Sequence, residues 1–290
     1  MTSSTAIRHG KQTLPTLGAV NVPRHVPFRD LAARSHAGHV RLTNQDHFLM
    51  LDVERSMSVR GSSLGPLGLR SSSIGTLIVV ADGMGGHTNG ELASAVAIDT
   101  IAAFASRSLP AESALGDVAA RSHEGFQNAA RECQRRIREV ATRAGASLDL
   151  GTTMTALYAY EGSAEVAHVG DSRAYLVRPN AGCWRLTHDH TLGANLEAAT
   201  GEPAPGVAHI LTNAIGATNE DPRVEALHVP MFPGDRFLLS SDGLTNHVDD
   251  DAIRAALETA ANADEAADLL LEQALGTEAS DNITIVVAFV

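Results

Sequence analysis

Lysine is almost missing from this chain: Lys11 is the only one, and arginine carries nearly all of the positive charge. Basic residues number 22 against 34 acidic ones, for a net charge of −12. A deficit of that sign excludes general nucleic-acid binding, which depends on neutralising phosphates with surplus Lys and Arg. Cysteine is also scarce. Cys133 and Cys183 lie far apart and form no metal-ligand pair, which fits a reduced, cytoplasmic compartment. No run approaches the roughly 18 consecutive apolar residues of a membrane span. Residues 1–27 are polar, without the apolar centre of a secretion signal, and read as a flexible N-terminal tail.

Hydrophobic residues make up 44% of the 290, enough for a sizeable core. Three apolar runs each break off at an aspartate. Leu77–Ala81 meets Asp82, Val166–Gly170 meets Asp171, and Phe237–Ser241 meets Asp242. A fourth aspartate, Asp281, stands just before the run Ile283–Val287. Such runs read as buried strands. In an antiparallel sheet the end of one strand lies beside the start of its neighbour, so all four acids can meet at one edge of the core. Carboxylates gathered there repel one another unless cations neutralise them. The pattern therefore points to a site for hard, oxygen-loving metal ions.

Strand patterns cover Phe28–Ser35, His47–Val53, Thr152–Tyr160, Ala164–Gly170, Arg173–Arg178, Cys183–Thr187, Arg223–Val229 and Arg236–Ser240, with a final strand at the C-terminus. Glu54–Gly75 is rich in Ser and Gly and reads as a loop. Thr88 and Glu91 form a capping box before a helix whose core face is Ala93, Val96, Ala97, Thr100, Ile101 and Phe104. A second helix turns Phe126, Ala130, Cys133, Ile137 and Val140 inward, and two acidic, Ala-rich helices lie between Asp249 and Leu275. Leu192–Asn213 mixes a short helix with Gly- and Pro-rich loop. Strands and helices come in blocks, which predicts α+β architecture with antiparallel sheets covered by helices. No linker divides residues 28–290, so they read as a single domain.

Several separated motifs follow one another: Arg41-x-x-Asn44-Gln45-Asp46, Asp82-Gly83-Met84-Gly85-Gly86-His87, Gly151-Thr152-Thr153, Gly170-Asp171-Ser172-Arg173, Leu186-Thr187-x-Asp189-His190, Ser241-Asp242-Gly243-Leu244 and Asp281-Asn282-Ile283-Thr284. In these residues and this order the chain resembles the bacterial metal-dependent protein phosphatases (PPM, protein phosphatase 2C). The resemblance implies a four-layer α-β-β-α sandwich with a metal centre at one end between the sheets. It implies hydrolysis of phosphoserine and phosphothreonine in proteins with Mn²⁺ or Mg²⁺, two ions and a weaker third, through attack by a bridging metal-bound water. By the same resemblance Asp82 bridges both ions, the Gly83 carbonyl serves the second, and Asp242 and Asp281 complete the first. Asp171, with Asp242, belongs to the third; a hairpin turn is the alternative reading of its motif.

Within that scheme Arg41 is the expected phosphate anchor, because a guanidinium fork matches phosphate oxygens. Asp46 orients water from behind the metal ligands. His87 is the expected proton donor to the leaving oxygen, its ordinary pKa lying near neutrality. Gln45 departs from the family's frequent glutamate and implies a weaker second metal position. The expected partners are phosphorylated proteins and a Ser/Thr protein kinase, with neither nucleic acid nor membrane. A silent phosphatase-like binding module is the competing reading; retention of Asp82, Gly83, Asp242 and Asp281 argues against it. A phosphatase dedicated to one phosphoserine partner in a sigma-factor switch is another. His188 and His190 have no third soft ligand nearby in sequence and read as structural, and Asp249-Asp250-Asp251 reads as a helix N-terminus.

Overall fold

A computed structural model describes residues 8–9, 28–55, 72–85, 89–112, 118–145, 149–216 and 220–290. Its strands are β1 (Arg8–His9), β2 (Asp30–His36), β3 (Asp46–Arg55), β4 (Ser72–Met84), β5 (Gly151–Thr152), β6 (Met154–Tyr160), β7 (Ser163–Val169), β8 (Arg173–Arg178), β9 (Gly182–Arg185), β10 (Glu225–Pro230), β11 (Arg236–Ser240) and β12 (Ile283–Phe289). The helices are α1 (Asn89–Glu112), α2 (Val118–Ala144), α3 (Leu192–Thr200), α4 (Asp242–Thr245), α5 (Asp250–Thr259) and α6 (Ala263–Leu275). One sheet runs β1-β9-β8-β11-β12-β2 and the other β10-β7-β6-β4-β3. Apart from β1, which lies parallel to β9, the pairings are antiparallel.

Alternation along the strands builds the layers. In β4, Leu77 and Val79 face α1 and α2, while Ile78 and Val80 face the opposite sheet. In β11, Phe237 and Leu239 face between the sheets and Leu238 faces α4, α5 and α6. Three apolar cores therefore separate four layers, the arrangement the family resemblance implies. Each fully buried Leu, Ile or Val side chain contributes about 1.5–3 kcal/mol.

Gly90–Leu109 of α1 is long and apolar enough to cross a membrane, with a mean hydropathy of 1.3. Its Ala93, Ala97, Ile101, Ala105 and Leu109 are fully buried in the core that it shares with α2 and the sheet of β3, β4, β6 and β7, so it packs as a core helix. Asp249 caps α5 by accepting from the Ala252 N–H at 2.8 Å, the role read from its acidic run. Thr88 of the expected capping box lies outside the described residues, as does most of Glu54–Gly75, although β3 and β4 extend into that range at both ends. Thr152–Tyr160 is interrupted at Thr153, leaving β5 to pair with the tip of β4.

Candidate metal centre

The alternation that fills the core also aims the acids. Asp82 continues the face of Ile78 and Val80, so it points between the sheets, and its register partner on β3 is Asp46. A slip of one residue would turn both toward α1. From the opposite sheet, Ser241 continues the face of Phe237 and Leu239, and its hydroxyl donates to Asp46 Oδ2 at 2.7 Å. The Ser241 hydroxyl oxygen in turn accepts from the Thr284 N–H at 2.9 Å. Sequence reading gave Ser241 no role, though its place in the alternation marks it.

Asp242 opens α4, and Asn246 donates to its Oδ2 at 3.1 Å. The next residue, Gly243, permits the close approach of α4 to β12: a Cβ there would lie 1.9 Å from the Asn282 carbonyl oxygen. Gly83 is equally confined, since a Cβ would meet the Gly90 and Gln45 carbonyl oxygens at 2.2 and 2.5 Å. Asp281 Oδ1 accepts from the Asn282 N–H at 2.8 Å, and Oδ2 accepts from Arg41 Nη2 at 2.7 Å. Asp171 follows β7 and is flanked by two contacts. Gly170 exchanges hydrogen bonds with His190, and Arg173 forms a fork with Asp189 at 3.0 and 2.7 Å. His87 lies outside the described residues.

Burial and mutual repulsion hold Asp46, Asp82, Asp171 and Asp242 toward the protonated form. Burial pushes Asp46 up to about 7, with Asp242 and Asp281 adding to the rise while the Ser241 and Thr284 hydroxyls oppose it. Asp171 is likewise pushed up to about 7, by burial and then by Asp242 and Asp189. Asp82 stands well above the usual carboxylate range because of burial and then Asp46, Asp242, Asp171 and Asp281. Asp242 is raised by burial and by Asp281. The hydrogen bond to Asp281 strengthens the hold of Arg41 on its proton.

This donor set fits a hard divalent cation: it is all oxygen, it comes from both sheets, and buried Asp46 Oδ1 has no hydrogen-bond partner. Among the described residues a trio of potential ligand atoms also gathers elsewhere, in His168, His190 and Glu225, all within 4.8 Å of one another. Hydrogen bonds already occupy it. His168 bonds Thr155 through Nδ1 and the His188 carbonyl through Nε2, and His190 Nδ1 accepts from Gly170 and Asn213. His190 Nε2 then faces Glu225 at 3.6 Å, and His188 Nδ1 meets the same carboxylate at 2.6 Å. The structural role read for His188 and His190 thus has a physical basis: they tie the Leu192–Asn213 segment to β7 and β10. That segment roofs a cleft of about 760 Å³ whose opposite wall includes Asp171, Asp242, Arg173 and Arg185.

Residues 67–277 match the family model for protein phosphatase 2C. The serine/threonine phosphatase stp of Listeria welshimeri is 33% identical over 218 residues, spanning 72% of this chain and 82% of that protein. The serine/threonine protein phosphatase PstP of Mycobacterium tuberculosis is 31% identical over 263 residues, 89% of this chain and 44% of that longer protein. A crystal structure of the PstP catalytic domain with 2 manganese ions superposes with a TM-score of 0.67 at 28% identity, covering 89% of this chain and 96% of that one.

Proposed function

Since this chain belongs to the protein phosphatase 2C family and is a metal-dependent protein serine/threonine phosphatase, we propose how its own residues carry out the hydrolysis. Asp82, Asp242 and Asp281 would hold one ion, Asp82 and the Gly83 carbonyl a second, and Asp171 with Asp242 a weaker third. All-oxygen coordination favours Mn²⁺ or Mg²⁺. When bound, such ions lower the pKa of water and offset charge on the phosphoryl group.

Arg41 takes two phosphate oxygens through its guanidinium fork and so places phosphorus for in-line attack. It is half-exposed and stands beside Asp281, which suits a group that must reach a substrate. Asp46, fixed by Ser241, turns its unpartnered Oδ1 toward the attacking water and orients it. His87 donates the proton that the serine or threonine oxygen needs on leaving. A His87→Ala enzyme with an unchanged pH profile on phenyl phosphate esters would remove that last assignment.

The observation that carries this reading is the convergence of acids from both sheets around the unpartnered Asp46 oxygen. The test is release of phosphate from a phosphothreonine peptide, titrated with Mn²⁺ and with Mg²⁺. Turnover should require one of them and fall at least a thousandfold, on the order expected for removing electrostatic stabilisation of the transition state, in Asp82→Ala and Asp242→Ala. Metal-independent turnover, or full activity in either variant, would overturn the scheme. In the cell we place the enzyme opposite a Ser/Thr protein kinase in the cytoplasm, a compartment with which the free, buried thiols of Cys133 and Cys183 agree.

A further inference from the structure

The residues between β2 and β3 carry Arg41 and belong to no sheet. One side chain gathers both ends of this loop. Asn282, 4% exposed, donates through Nδ2 to the Ala37 carbonyl and to the Thr43 carbonyl, each at 3.0 Å. Its Oδ1 accepts from the Gln45 N–H at 2.8 Å. Ala37 precedes Arg41; Thr43 and Gln45 follow it. A single amide therefore brackets the arginine; among uncharged side chains only the primary amide of Asn or Gln offers two donors and an acceptor on one planar group. The backbone of Asn282 is pinned as well, because Gly243 packs against its carbonyl and its N–H binds Asp281 Oδ1. The loop is thus tied to the strand start that also presents Asp281, the acid to which Arg41 is paired.

We infer that Asn282 is the positioning residue for Arg41: by clamping the loop at Ala37, Thr43 and Gln45 it sets where the guanidinium meets the substrate phosphate. This rests on Arg41 being the phosphate anchor. A reacting group displaced by about 1 Å can lose on the order of a hundredfold in rate, so releasing the loop should weaken both the hold on phosphate and its alignment even though Asn282 touches no substrate.

The test is kinetics at saturating Mn²⁺ on a phosphothreonine peptide, with inorganic phosphate as inhibitor, for Asn282→Ala, Arg41→Ala and the double variant. Asn282→Ala should lower kcat/KM and raise the phosphate inhibition constant, each about tenfold or more, within the range of loop-misplacement effects. The double variant should bind phosphate no worse than Arg41→Ala alone, because both changes remove one interaction. Asn282→Asp, which keeps the acceptor for Gln45 and loses both donations, gives a second route if the alanine variant does not fold. In the wild-type enzyme the Gln45 amide should exchange hydrogen slowly. Multiplying losses in the double variant, a fall in kcat/KM with an unchanged phosphate inhibition constant, or a Gln45 amide exchanging like an exposed one would overturn the inference. Unchanged KM and inhibition in Arg41→Ala would instead sink the anchor assignment, and the clamp's purpose with it.

Discussion

Asparagine at position 46 should cripple the enzyme and yet stabilise its metal-stripped form. Asp46 is buried, and its carboxyl is raised from 3.8 to about 7. A carboxyl whose folded pKa lies above its unfolded value binds protons more tightly in the folded state, so it destabilises that state as pH rises. The penalty is absent below about pH 4, where both states are protonated, grows between about 4 and 7, and is full above 7. At about 1.36 kcal/mol per pH unit the ceiling is about 4 kcal/mol. An asparagine oxygen can still accept from Ser241, but its amide would take the unpartnered position of Oδ1 and leave a donor unmet, at a cost of about 1–3 kcal/mol. A net gain of about 2 kcal/mol remains, or roughly 4–8 °C in Tm for a domain of this size. The assay is thermal unfolding of EDTA-treated wild type and Asp46→Asn between pH 4 and 8. The variant should lie below wild type by about 2 kcal/mol near pH 4, cross it between about pH 5 and 6, and stand above it by about 2 kcal/mol at pH 8. A variant that unfolds earlier at pH 8, or a gap that does not change with pH, would refute the reasoning.

Three further outcomes follow from other parts of the molecule. Gly243→Ala puts a carbon 1.9 Å from the Asn282 carbonyl; it should destabilise by about 1–3 kcal/mol and weaken Mn²⁺ binding by calorimetry, since α4 must withdraw Asp242 from Asp281. Asp235→Ala leaves buried Arg178 without its partner at 2.8 Å and should cost about 3–5 kcal/mol in denaturant titrations with little change in kcat, the pair being remote from the acids. His168 is depressed to about 4 by burial and then by His190. Its neutral form therefore favours folding fully above about pH 6.5, and that contribution is lost as pH falls from 6.5 to 4. His168→Gln should accordingly show a shallower loss of stability than wild type across that window.

The layers and the acids were legible because both depend on short-range pattern. Apolar runs that stop at Asp82 and just before Asp242 announce buried strands with a carboxylate near the tip, and period-two alternation tells which face the tip residues take. Ser241 could have been found by the same rule, being in phase with Phe237 and Leu239. Other features depend on distant partners and leave no local trace. The amide of Asn282 works only through Ala37, Thr43 and Gln45, which are more than 230 positions away in the chain. The fork between Arg173 and Asp189 joins two motifs that lie apart in the chain, and neither announces the other. Helix α4, four residues long, is too short for any periodicity to show, and the parallel pairing of Arg8–His9 with Trp184–Arg185 lies within what reads as a polar tail.

Asp46 and Asp82 come from one sheet, and Asp242 and Asp281 come from the other or its flank. Neither half of the sandwich owns a workable set. A refolding chain can complete each sheet, with its own helices, before the two faces close, and such a half-assembled species would be folded by circular dichroism yet unable to cleave a phosphoester. Recovery of turnover after dilution from denaturant would then time the closing of the sandwich itself, with the enzyme's own chemistry as the clock.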